Sequence, residues 1–327
     1  MNGQDAKGQR KVMIGEIQPP ADDALGAYEA VDLIAADRLV MALQEYDKMY
    51  REFVIGLSGG IDSSVCLALF VKAFGKERIK AFALPAYDSN PADLEDAKEL
   101  AGLFQVSLIT ESIEPYLELL GVPASFAKHH WGQGLAREGR LDQDGYLPDD
   151  RHFWAITGST VAKLMTRTTV LHVKAALIQG AVCQTLNRTE LAMGMYGDWG
   201  DRAGDIAPLN HLWKTQVYKL GVVLGIPEKI ISRPSGSGNL PELITDEQHA
   251  GMSYQDLDGI LSLHLDYGLE PEHIARYALS SGWEMPIEQI VRIVSAVRAN
   301  QARGHKPFSR SHLSPLVGID HLKTTER

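Results

Sequence analysis

Cysteine is scarce: Cys66 and Cys183 are the only two in 327 residues. That is too few for a disulfide scaffold or a cysteine-rich metal site, and the expectation is a reducing, cytoplasmic setting with both thiols as core fillers. Long apolar runs are also missing. No stretch approaches the ~18 residues needed to cross a bilayer, so no membrane partner is expected. The opening MNGQDAKGQRKVMIGEIQPPADD has no apolar core behind its basic residues, which argues against a secretory signal; residues 1–23 are read as a flexible arm. Positive charge is in deficit, with 32 Lys and Arg against 42 Asp and Glu, a net −10. That sign repels phosphate backbones and excludes a general nucleic-acid binder, while leaving a small phosphorylated ligand open.

What is present is ordinary for a folded protein. Hydrophobic residues make up 45% and charged residues 23% of the chain, which excludes a disordered chain or a coiled-coil rod. The length fits two ordinary domains or one large α/β domain with additions.

Apolar spacing predicts a helix from Ala24 to Met49, a strand at Phe53 to Leu57 and a helix from Ser63 to Phe74. A strand at Ile79 to Leu84, a helix at Pro91 to Phe104 and a strand at Val106 to Thr110 follow. Alternating strands and helices predict a doubly wound, mainly parallel α/β sheet. Residues 121–157 lack clear periodicity and read as an insertion. Beyond them a helix is expected from Thr160 to Gln179, a strand at Ala181 to Thr185, and a helix around Thr215 to Leu224. The stretch 232–243 is rich in Pro and Gly and reads as irregular. Three further helices, at Tyr254 to Leu265, Pro271 to Ser280 and Pro286 to Ala302, form a helical C-terminal extension. The domain division expected is therefore 24–253 for the α/β part and 254–327 for the extension and tail.

The strongest chemical signal is Ser58-Gly59-Gly60-Ile61-Asp62-Ser63-Ser64, where a buried strand hands over to a helix. Two glycines permit a turn that leaves successive amides facing an anion at the positive end of the helix, and three serines add hydroxyls. A carboxylate beside a phosphate site is repulsive unless a divalent cation lies between, so Asp62 implies Mg²⁺. A lone Gly-Gly turn with a capping acid is otherwise ordinary helix-start chemistry. The heptapeptide is neither a Walker loop nor a Gly-x-Gly-x-x-Gly fingerprint.

This heptapeptide resembles the pyrophosphate loop of the ATP-pyrophosphatase superfamily, whose members split ATP between its α and β phosphates and adenylate a substrate. Later blocks narrow the resemblance: Asn187-Arg188-Thr189-Glu190, Gly200-Asp201, Gly204-Asp205, Leu212-Trp213-Lys214-Thr215, Arg233-Pro234-Ser235, Thr245-Asp246-Glu247 and Leu257-Asp258-Gly259. In order and spacing the series is similar to ammonia-dependent NAD synthetases, from about Glu45 to Pro307 with a gap across 121–157.

The resemblance implies an adenine nucleotide alpha-hydrolase-like fold, ATP as co-substrate, Mg²⁺, and amidation of deamido-NAD by ammonia through an acyl-adenylate. It implies a homodimer, with ammonia arriving free or from a separate glutaminase. Asp62 and Glu190 are the implied metal ligands. Ser58, Gly59, Gly60, Asp62, Ser63, Ser64, Arg167, Thr185, Lys214 and Ser235 are the implied ATP contacts, with Asp62 and Lys214 as the catalytic pair. Asp201, Asp205, Asp246, Glu247 and Lys306 are the implied deamido-NAD contacts. Each has a plainer alternative: a capping acid for Glu190, a solvated or paired helix face for Arg167, a helix start for Lys214, solvated surface for the other acids. His129-His130 lacks a third ligand at helical spacing and is not read as a metal site.

Departures from the family pattern fall at Gln184, Met165, Asp198 and Ala83. They bear on the ATP side, where the 121–157 insertion, as a lid, could supply Arg137, Arg140 or Arg151. Two other readings stay open: another adenylating amidotransferase or tRNA-modifying member of the superfamily, and a nucleotide-binding regulatory protein without turnover. Against the tRNA reading stand the acidic charge and two scattered cysteines.

Overall fold

The computed structural model describes residues 33–122, 150–236, 245, 247 and 250–303, with the side chains of 150–157 left out. Asp246, Lys306, the His129-His130 pair, Arg137, Arg140 and the Arg151 side chain lie outside the described residues, as does most of the expected insertion.

Four strands form one parallel sheet in the order β3-β2-β1-β4. They are β1 (Glu52–Gly56), β2 (Ile79–Ala83), β3 (Ser107–Thr110) and β4 (Gly180–Cys183). β1 is central, with Phe53 opposite Ile79 on one side and opposite Ala181 on the other. Strand side chains alternate between faces, so a strand covered on both sides must be apolar throughout. Phe53, Val54 and Ile55 meet that demand with no exposure at all. Phe53 and Ile55, with Ile79, Ala81, Ala181 and Cys183, face one core; Val54, Phe82 and Val182 face the other.

The first core is covered by α1 (Leu33–Gln44), α2 (Ile61–Phe74), α3 (Pro91–Leu103) and α7 (Lys214–Val223). Phe53 stacks on Phe74 at 3.6 Å and meets Phe70 edge-on at 5.7 Å. The second core is closed by α4 (Glu114–Leu119) and α5 (Asp150–Leu177), through Leu117, Val170, Leu171 and Ala175. A third cluster joins α6 (Arg188–Met193) and the buried Trp213 to α9 (Tyr254–Leu265), α10 (Pro271–Ser280) and α11 (Ile287–Arg303). The short α8 (Glu228–Ile231) adds Ile230 to the first core.

Two boundaries differ from expectation by more than two residues. α1 ends at Gln44 and gives way to turns, short of Met49. α5 begins at Asp150, inside the stretch read as insertion, and runs unbroken to Leu177.

Strand order places the site. The chain leaves β1 toward β2 and β3, then returns to lay β4 on β1's other flank. Connections therefore part in opposite directions at the C-terminal ends of β1 and β4, which is where open parallel sheets bind ligands. The Ser58–Ser64 turn follows β1, and Thr185 to Glu190 follow β4.

Candidate active site

At the β1–α2 turn, Gly59 has φ +80°, and a Cβ there would lie 2.4 Å from the Asp93 carbonyl oxygen in the first turn of α3. Both the left-handed backbone and the close approach require glycine. Ser58 Oγ lies 3.1 Å from Ser63 Oγ and accepts from the Gly60 N–H at 3.3 Å. Ser63 and Ser64 donate to the Gly60 carbonyl at 3.0 and 2.7 Å. The serines thus shape the turn, while the first amides of α2 have no partner within the helix and are the natural anion donors. Gly59→Ala adds left-handed strain of about 1–3 kcal/mol to a backbone collision. The expected result is a lower urea midpoint together with weaker ATP binding, read by chemical denaturation and calorimetry.

Asp62 is held from two sides by helices that follow β4 and its neighbouring loop. The Asn187 side-chain amide donates to Asp62 Oδ1 at 2.9 Å, and the Lys214 ammonium pairs with Oδ2. Lys214 is 1% exposed, Asp62 19%. Burial pushes the Lys214 ammonium toward neutrality, but the charges of Asp62 and Glu190 outweigh it and hold it well above the ordinary lysine range. Tyr218 and Tyr254 each lie 5.6 Å from the ammonium across their ring faces. Tyr218 OH is 2.7 Å from Ser235 Oγ, which ties the Arg233-Pro234-Ser235 loop to the same pocket.

Glu190 does form a capping box: its Oε2 accepts the Asn187 N–H at 2.9 Å, and Asn187 Oδ1 accepts the Glu190 N–H at 3.0 Å. The plainer alternative and the convergence with Asp62 hold together, since the charges of both carboxylates act on Lys214 and on the buried Cys66. No group of three His, Cys, Asp or Glu side chains able to hold a metal occurs among the described residues. Two carboxylates suit a Mg²⁺ whose other ligands are substrate phosphates and water, and do not suit a resident metal cage. Lys214 supplies the charge that compensates these carboxylates.

Arg167, on α5, donates through Nε to the Leu84 carbonyl at 2.9 Å just past β2. Burial lowers its pKa, and Asp88 and Asp93 act against that shift. It lies at the same edge of the sheet as the glycine turn, which touches Asp93. Thr185 is half-buried immediately after β4. Asp201 Oδ1 accepts the Gly197 N–H at 2.7 Å, and the exposed Asp205 accepts the Val182 N–H through Oδ2 at 2.8 Å. Glu247 Oε1 accepts the Tyr254 N–H at 2.7 Å. Each of these three acids holds a backbone amide in place.

Burial pushes the Asp201 carboxyl up from 3.8 to about 6, against the lowering effect of its backbone hydrogen bonds. Between about pH 4 and 6 the folded chain therefore binds the proton that the unfolded chain has released, and this group's contribution to stability falls as pH rises through that window. Asp201→Asn is expected to remove that share of the slope, seen as a flatter difference in unfolding free energy from wild type above pH 6 than between 4 and 6.

The departures have structural uses. Gln184 is 7% exposed and its amide reaches the Arg202 carbonyl, with Gly204 packed so tightly on it that a Cβ would lie 2.7 Å from the Gln184 Cβ. Asp198 pairs with Arg202 at 2.9 Å. Met165 is 40% exposed, and Ala83 is buried. Asn187 and the two tyrosines are the site residues that sequence reading did not single out.

A parallel sheet with a self-bonded Ser-Gly-Gly turn and an Asp–Lys pair at its switch point is the build of a nucleotide-handling α/β enzyme. Comparison with known proteins gives the particular kind. The NAD synthase family profile matches residues 35–138 and 157–307. An NH(3)-dependent NAD(+) synthetase of Thermotoga neapolitana is 38% identical over 234 residues, covering 67% of this chain and 79% of that one. Among solved structures, an NMN synthetase from Francisella tularensis matches with TM-score 0.59 and 25% identity, covering 88% of this chain and 97% of that one. An NH3-dependent NAD synthetase from Campylobacter jejuni shares the fold at TM-score 0.60 and 22% identity, covering 86% and 99%. The chain belongs to the NAD synthase family, a family of ligases that use ATP.

Proposed function

We propose that the chain amidates deamido-NAD with ammonia, using ATP and Mg²⁺ and releasing AMP, pyrophosphate and NAD through an acyl-adenylate. The observation that carries the reading is the meeting of Asp62, Asn187, Glu190 and Lys214 at the C-terminal edge of β1 and β4, in a chain of this family. A carboxylate is a poor acceptor for ammonia, so one of its oxygens must first become part of a leaving group. Attack of that oxygen on the α-phosphate requires the outer phosphates to be held and their charge dispersed.

The amides at Gly59 to Ser63 fit the outer phosphates, the three serine hydroxyls hold the turn that presents them, and Lys214 brings a charge that cannot be lost at neutral pH. Asp62 and Glu190 would hold Mg²⁺, which when bound supplies charge neutralisation on the triphosphate. Arg167, Thr185 and Ser235 line the nucleotide side in this reading; Asp201, Asp205 and Glu247, with Asp246 and Lys306, belong to the deamido-NAD side. Two free, buried thiols suit a reducing cytoplasm. A homodimer completing the deamido-NAD site, and ammonia delivered free or by a separate glutaminase, belong to the same proposal.

Purified protein incubated with ATP, Mg²⁺, ammonium and deamido-NAD should yield NAD, AMP and pyrophosphate in equal amounts. A parallel arm with the acid precursor of NMN addresses the likeness to the Francisella tularensis enzyme. AMP formed only with another acid, or ADP in place of AMP, would count against the assignment.

A further inference from the structure

Asp62 receives its two partners from two helix starts, and a single buried carboxylate ties those starts together. Asn187 caps α6, and Lys214 is the first residue of α7. Asp258, on α9, has no exposure and reaches both. Its Oδ1 accepts the Thr189 hydroxyl at 2.5 Å, and its Oδ2 accepts the Thr215 N–H at 2.9 Å. Thr189 Oγ1 in turn accepts the Lys214 N–H at 2.9 Å. The first two amides of α7 thus end on one carboxylate, directly and through a threonine of α6. Helix N-termini leave these amides without partners of their own, and a carboxylate placed there is favoured by the helix dipole.

We infer that Asp258 is a positioning residue for the nucleotide site: it fixes the starts of α6 and α7 relative to each other and so holds Asn187 and Lys214 on Asp62. The inference rests on the proposed ATP role of that pair. Burial raises the Asp258 carboxyl from 3.8 to about 6, with Thr189, Thr215 and Lys214 working against the shift, so near pH 7.5 it is ionised and accepts both bonds. Both carboxylate oxygens are used as acceptors, and a neutral amide in their place would offer one acceptor oxygen and leave one of the two donors without its partner. The helical C-terminal part thereby contributes to ATP use without touching ATP.

The test compares Asp258→Asn, Thr189→Val and Thr189→Ser with wild type at pH 7.5, measuring kcat and KM for ATP and for deamido-NAD, with unfolding curves alongside. D258N and T189V are expected to lower kcat/KM for ATP at least 20-fold while shifting the deamido-NAD KM less than threefold. T189S, which keeps the hydroxyl, is expected to restore the value to within threefold of wild type. Wild-type-like ATP kinetics in D258N and T189V, or losses that merely follow the folded fraction, overturn the inference. If wild type makes no NAD, the functional reading fails first; ATP dissociation constants then decide, with D258N and T189V at least tenfold weaker than wild type and T189S if the inference holds, and equal to it if not.

Discussion

Asp62→Ala is expected to reduce kcat/KM by about a thousandfold, the scale of losing a group that acts on transition-state charge, and to destabilise the fold as well. The stability loss follows from what remains. Lys214 is 1% exposed, and without Asp62 its ammonium is left with Glu190 as its anionic neighbour. Removing one partner of a buried pair costs about 3–5 kcal/mol; the lower end applies here because Glu190 remains. Urea denaturation and steady-state kinetics on the same preparation read both effects. An Asp62→Ala protein with wild-type turnover would contradict the assignment of this carboxylate to the chemistry.

Lys214→Met is expected to separate the two effects. Methionine fills the lysine's stem volume between Tyr218 and Tyr254 without a charge. Asp62, 19% exposed, keeps the Asn187 bond and can take up water on its freed oxygen. Replacing a buried charge by an apolar side chain of similar volume is often close to neutral for stability, so the unfolding free energy should change by less than about 2 kcal/mol. Turnover should nonetheless fall about 10²- to 10³-fold, since a charge directed at the outer phosphates is gone. The contrast is the informative quantity: D62A loses activity and stability together, K214M loses activity alone. Equal stability losses in both variants would mean that the pair is chiefly a fold element.

Much of this was legible before any geometry, for physical reasons that differ from element to element. The strand cores were plain because Phe53, Val54 and Ile55 are buried on both faces and leave an unbroken apolar run. The helix at Tyr254–Leu265 is bounded as expected because Ser253 caps it, accepting the Asp256 N–H at 3.1 Å, and Pro271 starts the next one. α4, α6 and α8 span six, six and four residues, too few for a 3.6-residue period to register. The opening of α5 was hidden because Gly158 and a mixed polar sequence blur its pattern.

The site was legible as separate pieces rather than as an arrangement. The glycine turn advertised itself locally, but Asp62 and Lys214 stand 152 positions apart, and only the strand order brings them together. Glu190 had a capping acid as its plainer alternative and is one, with Asn187 as its partner in the box; the second bond of Asn187, to Asp62, has no sequence signature. Asp258 follows Gln255 and Asp256 in the opening turns of its helix, where one more acid gives no hint that two helix starts converge on it. The sequence departures at Gln184 and Asp198 suggested altered ATP contacts, and both turn out to be engaged with Arg202.

The turn after β1 is the proposed seat of the outer phosphates. A crystal structure with Mg²⁺ and an ATP analogue that cannot be cleaved between its α and β phosphates tests it most directly. The expected result is β- and γ-phosphate oxygens about 3 Å from the amides of Gly59 to Ser63, with Lys214 turned toward them. A triphosphate bound at another edge of the sheet, with that turn unchanged and Lys214 still on Asp62, would contradict it.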